Sequence, residues 1–107
     1  MKLLTPKLRK TLPKFGTYKN RPWSKVPIHV KFFSPIGFWT WYVIEGEEKD
    51  DGDVLFFGYI CGYANEFSYF SLFELESIRA FGLKLIERDM GFGRHMVSEL
   101  RVKGHNL

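Results

Sequence analysis

Two runs of aromatic and β-branched residues, 41–44 and 54–61, flank a cluster of acids in the segment WYVIEGEEKDDGDVLFFGYICG, residues 41–62. Such residues are enriched in β-strands, and the Asp51-Gly52 pair between the runs is favoured in the turn of a hairpin. The acids do not follow the alternating spacing of a calcium loop, which also needs a central glycine and a distal glutamate. The segment therefore predicts two antiparallel strands joined by a charged, hydrated turn.

The same composition recurs along the chain, and glycine, proline and asparagine separate the runs. Consecutive short strands joined by turns pair in antiparallel fashion, so a meander of four strands is predicted. Gly58 lies inside a strand pattern, where glycine marks a bulge or close packing of the backbone. The predicted meander strands are 28–33, 38–45, 54–61 and 66–70, and a fifth strand is predicted at 83–88.

Three segments carry helix signals. Thr5 can cap a helix with Pro6 at its first position, and the capping box at 71–74 predicts a short helix over 72–80. A further amphipathic helix is predicted around 95–102. These elements together predict an α+β fold, a twisted antiparallel sheet of about five strands with one or two short helices packed on it.

The chain has 107 residues, 45% of them hydrophobic and 18% aromatic, which is too apolar for a disordered chain and fits a single domain. We expect a basic helix and loop at 1–26, the meander, short helix and final strand at 27–89, and a tail at 90–107. The sequence lacks the run of about 20 apolar residues that spans a bilayer and the features of a secretion signal. Cys61 is the single cysteine, so no disulfide is predicted and a cytoplasmic location is expected.

Charge is distributed unevenly along the chain. Residues 1–31 contain nine lysines and arginines and no acid, whereas the remainder contains seven cations and twelve acids, so +9 and −5 give the net charge of +4. A basic segment on an acidic body favours contact with an anionic partner such as nucleic acid or an acidic protein surface. The same segment is equally able to pack on the carboxylates of its own body, and the sequence leaves both alternatives open.

The basic segment interleaves its cations with aromatic rings, a combination typical of proteins that bind single-stranded nucleic acid. The sheet adds more rings, and its strands are apolar on both faces. Either one face stays open for a protein partner or for a homodimer, or the sheet curls so that both faces are interior. The predicted binding residues are Lys14, Tyr18, Lys19, Arg21, Trp23, Lys25, Lys31, Trp39 and Trp41.

Four carboxylates at predicted strand ends are candidates for catalysis: Glu45, Glu66, Glu87 and Asp89. Strand ends can converge, and clustered carboxylates can hold Mg²⁺ or act as acid and base, with Lys84 as a nearby lysine. This pattern favours, as an alternative, a metal-dependent enzyme acting on nucleic acid. The sequence has no phosphate-binding loop, dinucleotide fingerprint, nucleophile elbow or paired histidines, so no metal ligand, cofactor or catalytic residue is assigned.

A series of motifs resembles one known family. The motifs are KLLTP, VKFFSP, WYVIEGE, LFFGY, NEFSYFSLFELESI and GLKLIERDMGF, which together cover most of the chain. They are similar to the domain-of-unknown-function family 2958, whose members are small proteins of plasmids, phages and other mobile elements. The chain departs from the family pattern in its aromatic and basic segment 14–33. The residues that match prominent positions of the family pattern are Glu45, Gly58, Glu66, Leu72, Glu74, Leu75, Glu87, Arg88 and Asp89.

The resemblance implies no catalytic residue, because no activity is established for the family. Taken with the charge distribution, it predicts a small cytoplasmic accessory protein of a mobile element. We expect this protein to act without catalysis, by binding a protein or nucleic acid partner, and no membrane partner is expected.

Overall fold

The fold is seen in a computed structural model, which describes the backbone of residues 2–103 and the side chains of residues 2–100. Seven strands are described: β1 Val30–Phe33, β2 Thr40–Glu48, β3 Val54–Cys61, β4 Asn65–Ser71, β5 Arg79–Ala80, β6 Leu83–Lys84 and β7 Glu87–Arg88. The helices are α1 Pro6–Thr11, α2 Leu72–Ser77 and α3 Val97–Lys103, and a single 3-10 turn covers Trp23–Lys25. Residues 104–107 of the predicted tail lie outside the described residues.

The predicted α+β fold is confirmed. Five antiparallel strands form one sheet in the order β4-β3-β2-β1-β7, so β1 to β4 are the predicted meander. Thr5 caps α1 by accepting a hydrogen bond from the backbone N–H of Leu8, at 3.2 Å. The predicted capping box is also present, because Ser71 and Glu74 each accept a hydrogen bond from the backbone N–H of the other.

The predictions for residues 72–88 need correction. Helix α2 ends at Ser77, and the predicted strand 83–88 is divided between β6 and β7. β5 and β6 form a separate two-stranded hairpin, because Phe81 and Gly82 both have positive φ angles, +55° and +79°, and reverse the chain. Two-residue hairpin turns of this kind need positive φ at both central positions. The fifth strand of the main sheet is therefore the two-residue β7, which pairs with β1.

Other segments of the chain pack on both faces of the sheet. Segments from the amino-terminal region cover the first face, where Leu3, Leu4 and Leu12 pack with α2 against Phe32 and other core residues. On the second face, Val26, Val97 and Leu100 pack against Tyr42 and Ile44. Short segments are enough to cover each face because each segment contributes two or three large apolar side chains. The sheet is therefore the middle of three layers.

Cys61 lies in the core of the second face with 2% of its surface exposed. Burial raises the pKa of its thiol to about 11, although the ammonium of Lys31 lowers it in part. A thiol with this pKa is almost fully protonated near neutral pH and is a poor nucleophile. Cys61 therefore acts as a small apolar side chain. Across residues 2–103, no helix combines the length and the apolar character needed to cross a bilayer.

Asp53 is an acid of the β2–β3 turn with a structural role. It is buried, and its Oδ1 accepts hydrogen bonds from the backbone N–H groups of Val54 at 2.8 Å and Phe73 at 2.9 Å. Burial raises the pKa of this carboxyl, but the two backbone donors, the Ser71 hydroxyl and Lys49 together lower it by more, so the net shift is downward. The side chain thereby joins the turn to the first turn of α2.

We expect Asp53→Asn to lower the free energy of unfolding at neutral pH by about 1–2 kcal/mol, because a charged acceptor is replaced by a neutral one. The carboxyl titrates at about 3.9 in the unfolded chain and lower in the folded protein, so its contribution is complete above that pH and is lost as the pH falls through the folded value. Urea denaturation measured between roughly pH 6 and pH 3 should therefore show a weaker pH dependence for the variant. The exposed Asp50→Asn is the control, and equal slopes for the wild type and Asp53→Asn would contradict the assignment.

Candidate nucleic-acid interface

The site begins with a β-bulge in β2. Val43 pairs with Gly58 and Glu45 pairs with Phe57, so Ile44 is an extra residue without a partner on β3. Gly58 allows the two backbones to approach closely here, since a Cβ on it would lie 1.9 Å from the carbonyl oxygen of Tyr42. A glycine inside a strand predicts such a bulge or close approach, and the structure confirms it.

The bulge turns Glu45 toward the second face of the sheet. Side chains normally alternate between the faces of a strand, but an extra residue lets two neighbours share one face. Ile44 and Glu45 thus line the same cleft, under a segment that we call the basic loop, residues 14–25. Glu45 is 8% exposed, and its two oxygens accept hydrogen bonds from the backbone N–H groups of Gly16 at 3.2 Å and Tyr18 at 3.1 Å.

More contacts fix the conformation of the basic loop. The neighbouring Glu47 accepts a hydrogen bond from the backbone N–H of Phe15 at 3.1 Å. Successive backbone hydrogen bonds then run from Thr17 to Lys14, from Lys19 to Gly16 and from Arg21 to Tyr18. A charged acceptor makes the stronger kind of hydrogen bond to a backbone N–H, so the carboxylates of β2 hold the loop in one place through its backbone.

Aromatic rings line the contact between the basic loop and strands β3 and β4. We call them the ring row: Phe15, Trp23, Phe57, Phe67 and Tyr69. Trp23 stacks on Phe67 with 4.8 Å between the ring centres, Phe15 meets Tyr69 edge-on at 5.7 Å, and Phe57 contacts both Phe67 and Tyr69. Tyr69 is 60% exposed. The row therefore combines rings packed on one another with a ring that presents its surface to solvent.

The cations of the basic loop are exposed, whereas its contacts to the carboxylates of β2 are made by backbone N–H groups. Lys14, Lys19, Arg21 and Lys25 are exposed, and none forms an ion pair with a described residue. Arg21 also lies over the ring of Tyr18, at 5.2 Å. Both alternatives for the basic segment are thus partly realised, because the backbone packs on the body's acids while the side-chain charges remain available.

The structure brings some of the other predicted binding residues to this surface and leaves others elsewhere. Tyr18 and Trp23 are half-buried in it, and burial raises the pKa of Tyr18, which keeps its hydroxyl protonated at neutral pH. Lys31 lies in a different cleft, 14% exposed and paired with Asp89 at 3.5 Å. Trp39 and Trp41 pack against the core of the first face, and Trp41 is buried.

The four carboxylates considered for catalysis do not come together. Glu66 is on β4 and Glu87 is on β7, at opposite edges of the sheet, which four strand spacings put about 19 Å apart. Glu45 is occupied by the backbone of the basic loop, and Asp89 pairs with Lys31 and accepts a hydrogen bond from the backbone N–H of Gly91. In the part of the chain whose side chains are described, no three histidine, cysteine or acidic side chains are grouped so that they could hold a metal ion.

Of the ring row, only Trp23 is among the predicted binding residues; Phe15 and Phe57 were missed, and so were Phe67 and Tyr69 on β4. The signal for the last two is the alternation in β4, where Phe67 and Tyr69 share one face and Phe70 enters the core of the other. Alternation assigns residues to faces but does not say which face the basic loop will cover. The link from Glu45 to the loop joins residues that are 27 and 29 positions apart, and no local pattern carries it.

A comparison with known protein families finds one family model that matches nearly the whole chain. The family model described as "Protein of unknown function (DUF2958)" matches residues 3–101, a range that includes the basic loop, the bulge and the ring row. The chain belongs to this family. The resemblance found in the sequence is thereby confirmed, and the description of the DUF2958 family assigns no activity to its members. No curated protein and no solved structure matches the chain.

Proposed function

We propose that this DUF2958 protein is a non-enzymatic binding module that holds single-stranded nucleic acid against the basic loop and the ring row. The observation that carries the proposal is the set of exposed loop cations without an ion pair among the described residues, beside rings on a backbone held by Glu45. The setting that we propose is the cytoplasm of a cell carrying a mobile element, in line with the family resemblance.

Physical chemistry favours a single strand over a duplex at this surface. Lysine and arginine neutralise phosphates and release counterions whatever the sequence, but an aromatic side chain stacks on a base only when the base is unpaired and accessible. Tyr69 is the most exposed ring of the row. A module built in this way would bind many sequences, with an affinity that depends strongly on salt.

We expect binding to a fluorescently labelled single-stranded oligonucleotide to weaken with salt, with a slope of log K against log salt of about −3 if four phosphates are neutralised. The triple variant Lys19→Gln, Arg21→Gln, Lys25→Gln should reduce that slope to about −1, because three contacts are lost. Fluorescence anisotropy across a salt series measures both slopes.

The matched control is Lys2→Gln, Lys7→Gln, Lys10→Gln. These three lysines are exposed and form no ion pair with the residues described, and the segment that carries them packs on the first face of the sheet. The control removes the same net charge and should leave the slope nearly unchanged. An equal loss in both triple variants would show that net charge rather than this surface binds the oligonucleotide, and no binding at low salt would remove the proposal.

Tyr69→Ala should weaken binding to the single strand about tenfold, because stacking on one base contributes about 1–3 kcal/mol. The salt slope should stay the same, since no cation is removed. Tyr63→Ala is the control, because Tyr63 is 89% exposed but packs with Trp39, which belongs to the first face. If Tyr69→Ala binds like the wild type, or if a duplex binds as tightly as the single strand, then the ring row does not contact bases.

A further inference from the structure

The β5–β6 hairpin projects from the first face of the sheet. Ile78 and Leu85 pack against the first-face core, and the backbone N–H of Leu85 donates a hydrogen bond to the carbonyl oxygen of Ile78 at 3.1 Å. Beyond this closed base the hairpin carries Arg79, Lys84 and the turn residues, and Phe81 at the tip is 94% exposed. The hairpin therefore has a fixed base and an apolar tip in solvent.

Two local features of this hairpin are unfavourable for folding. Phe81 has a φ angle of +55°, a region that bulky side chains rarely adopt, and its side chain gains almost no burial in return. Arg79 lies directly opposite Lys84 on the paired strand, and like charges in that position repel. Neither cation forms an ion pair with a residue that the structure describes. Local departures of this kind concentrate at functional sites.

An apolar cavity of about 260 Å³ opens beside the base of the hairpin. No charged residue lines it, and its apolar lining consists of Ile36, Trp39, Trp41, Ile78, Leu85 and Ile86. Trp39 extends this surface to two exposed rings, Phe38 and Tyr63, with ring centres 6.4 Å and 5.3 Å away. The volume is below that of a typical small-molecule site and has room for one or two apolar side chains.

We propose that the hairpin and this cavity form a docking site for an acidic peptide segment of a partner protein. An apolar side chain of the segment enters the cavity, and flanking carboxylates pair with Arg79 and Lys84, which relieves the repulsion between them. Charge complementarity decides against contact between the hairpins of two copies, because a second hairpin would bring two more cations to a cavity wall that has no carboxylate.

The docking site and the basic loop lie on opposite faces of the sheet, since the hairpin packs with the first-face core and the loop with the second. One molecule can therefore hold an acidic protein segment on one face and a nucleic acid on the other without competition between them. This inference goes beyond the proposed function and does not depend on it. Variants of the hairpin test peptide docking, and variants of the basic loop test nucleic-acid binding.

The probe is a random-peptide phage library selected on the immobilised Lys19→Gln, Arg21→Gln, Lys25→Gln variant, whose basic loop has lost three of its four cations and attracts acidic peptides less. We expect the selected peptides to share a large apolar residue flanked by aspartate or glutamate. A synthetic peptide of that sequence should bind about tenfold more weakly to Arg79→Gln, Lys84→Gln, because two exposed ion pairs are lost. Phe81→Asn should also weaken binding of the peptide. The Tm of this variant should equal or exceed that of the wild type, because asparagine tolerates positive φ.

The matched control for these variants is the Lys19, Arg21, Lys25 triple variant, which should bind the peptide like the wild type. Selected peptides without acidic residues, or with binding that the hairpin variants leave unchanged, would overturn the proposal. If sedimentation shows a dimer for the wild type and a monomer for the hairpin variants, then the hairpin forms a contact between copies of the chain and the proposal is overturned. A reduced salt slope for the oligonucleotide in the hairpin double variant would assign it to the nucleic-acid surface and overturn the proposal equally.

Discussion

Gly58→Ala is expected to lower the free energy of unfolding by about 4 kcal/mol. The new Cβ would lie 1.9 Å from the carbonyl oxygen of Tyr42, and backbone atoms cannot move aside as a flexible side chain can. β2 and β3 must separate or change register, and either response disrupts the centre of the sheet. Because folded domains are stable by about 5–15 kcal/mol, urea denaturation followed by circular dichroism should show a large loss of stability.

Gly91→Ala is the matched control, because its Cβ would meet no neighbour closer than 3.8 Å and should change stability by less than about 0.5 kcal/mol. If Gly58→Ala still folds, a lost bulge would turn Glu45 away from the basic loop. Trypsin should then cut the folded variant faster after Lys14 and Lys19. A Gly58→Ala variant as stable as Gly91→Ala would contradict the close approach of the two strands.

Glu45→Ala should destabilise the protein by about 3 kcal/mol, because it leaves the backbone N–H groups of Gly16 and Tyr18 without their charged acceptor. All the loop cations remain, yet affinity for the single strand should fall about tenfold, since the loop must be ordered again during binding. The two measurements are thermal unfolding and anisotropy with the same oligonucleotide. A loss of affinity without the loss of any cation would separate pre-organisation from charge.

Glu47→Ala is the control for this prediction. Glu47 is exposed and accepts a single hydrogen bond from the backbone of the loop, so its removal should cost less than about 1 kcal/mol. Equal trypsin cleavage of the basic loop in the wild type and in Glu45→Ala would show that the carboxylate does not hold the loop. If trypsin cuts the loop of Glu45→Ala faster but the variant binds the oligonucleotide as tightly as the wild type, then the ordered conformation of the loop does not contribute to binding.

The parts of the fold that local patterns encode were predictable from the sequence. β1 to β4 follow from runs of strand-forming residues separated by turn residues, and the capping box at Ser71 and Glu74 marks the start of α2. The β5–β6 hairpin was missed because its turn uses phenylalanine at a position where glycine or asparagine is the usual signal. Its strands have two residues each, too few to show alternation.

The candidate site was predictable in its charges but not in its construction. The cations and rings of the basic loop are evident from composition, and Gly58 signals an irregularity in β3. The position of the bulge opposite it depends on the register between two strands, and the contact from Glu45 to the loop depends on that register. Register is decided by the packing of the whole sheet, so Glu45 was grouped with other acids as a catalytic candidate when its role is to hold backbone.

The three-layer arrangement has a consequence for synthesis of the protein. The side chains that cover Tyr42 and Ile44 include Val97 and Leu100, which follow every strand of the sheet in the chain. While the ribosome is still adding those residues, the four-strand meander can form with its first face covered and its second face covered only in part, by Val26 and the basic loop. A nascent chain in that state exposes a large apolar surface and is prone to aggregate, so we expect chaperones that act on growing chains to bind it until α3 has emerged.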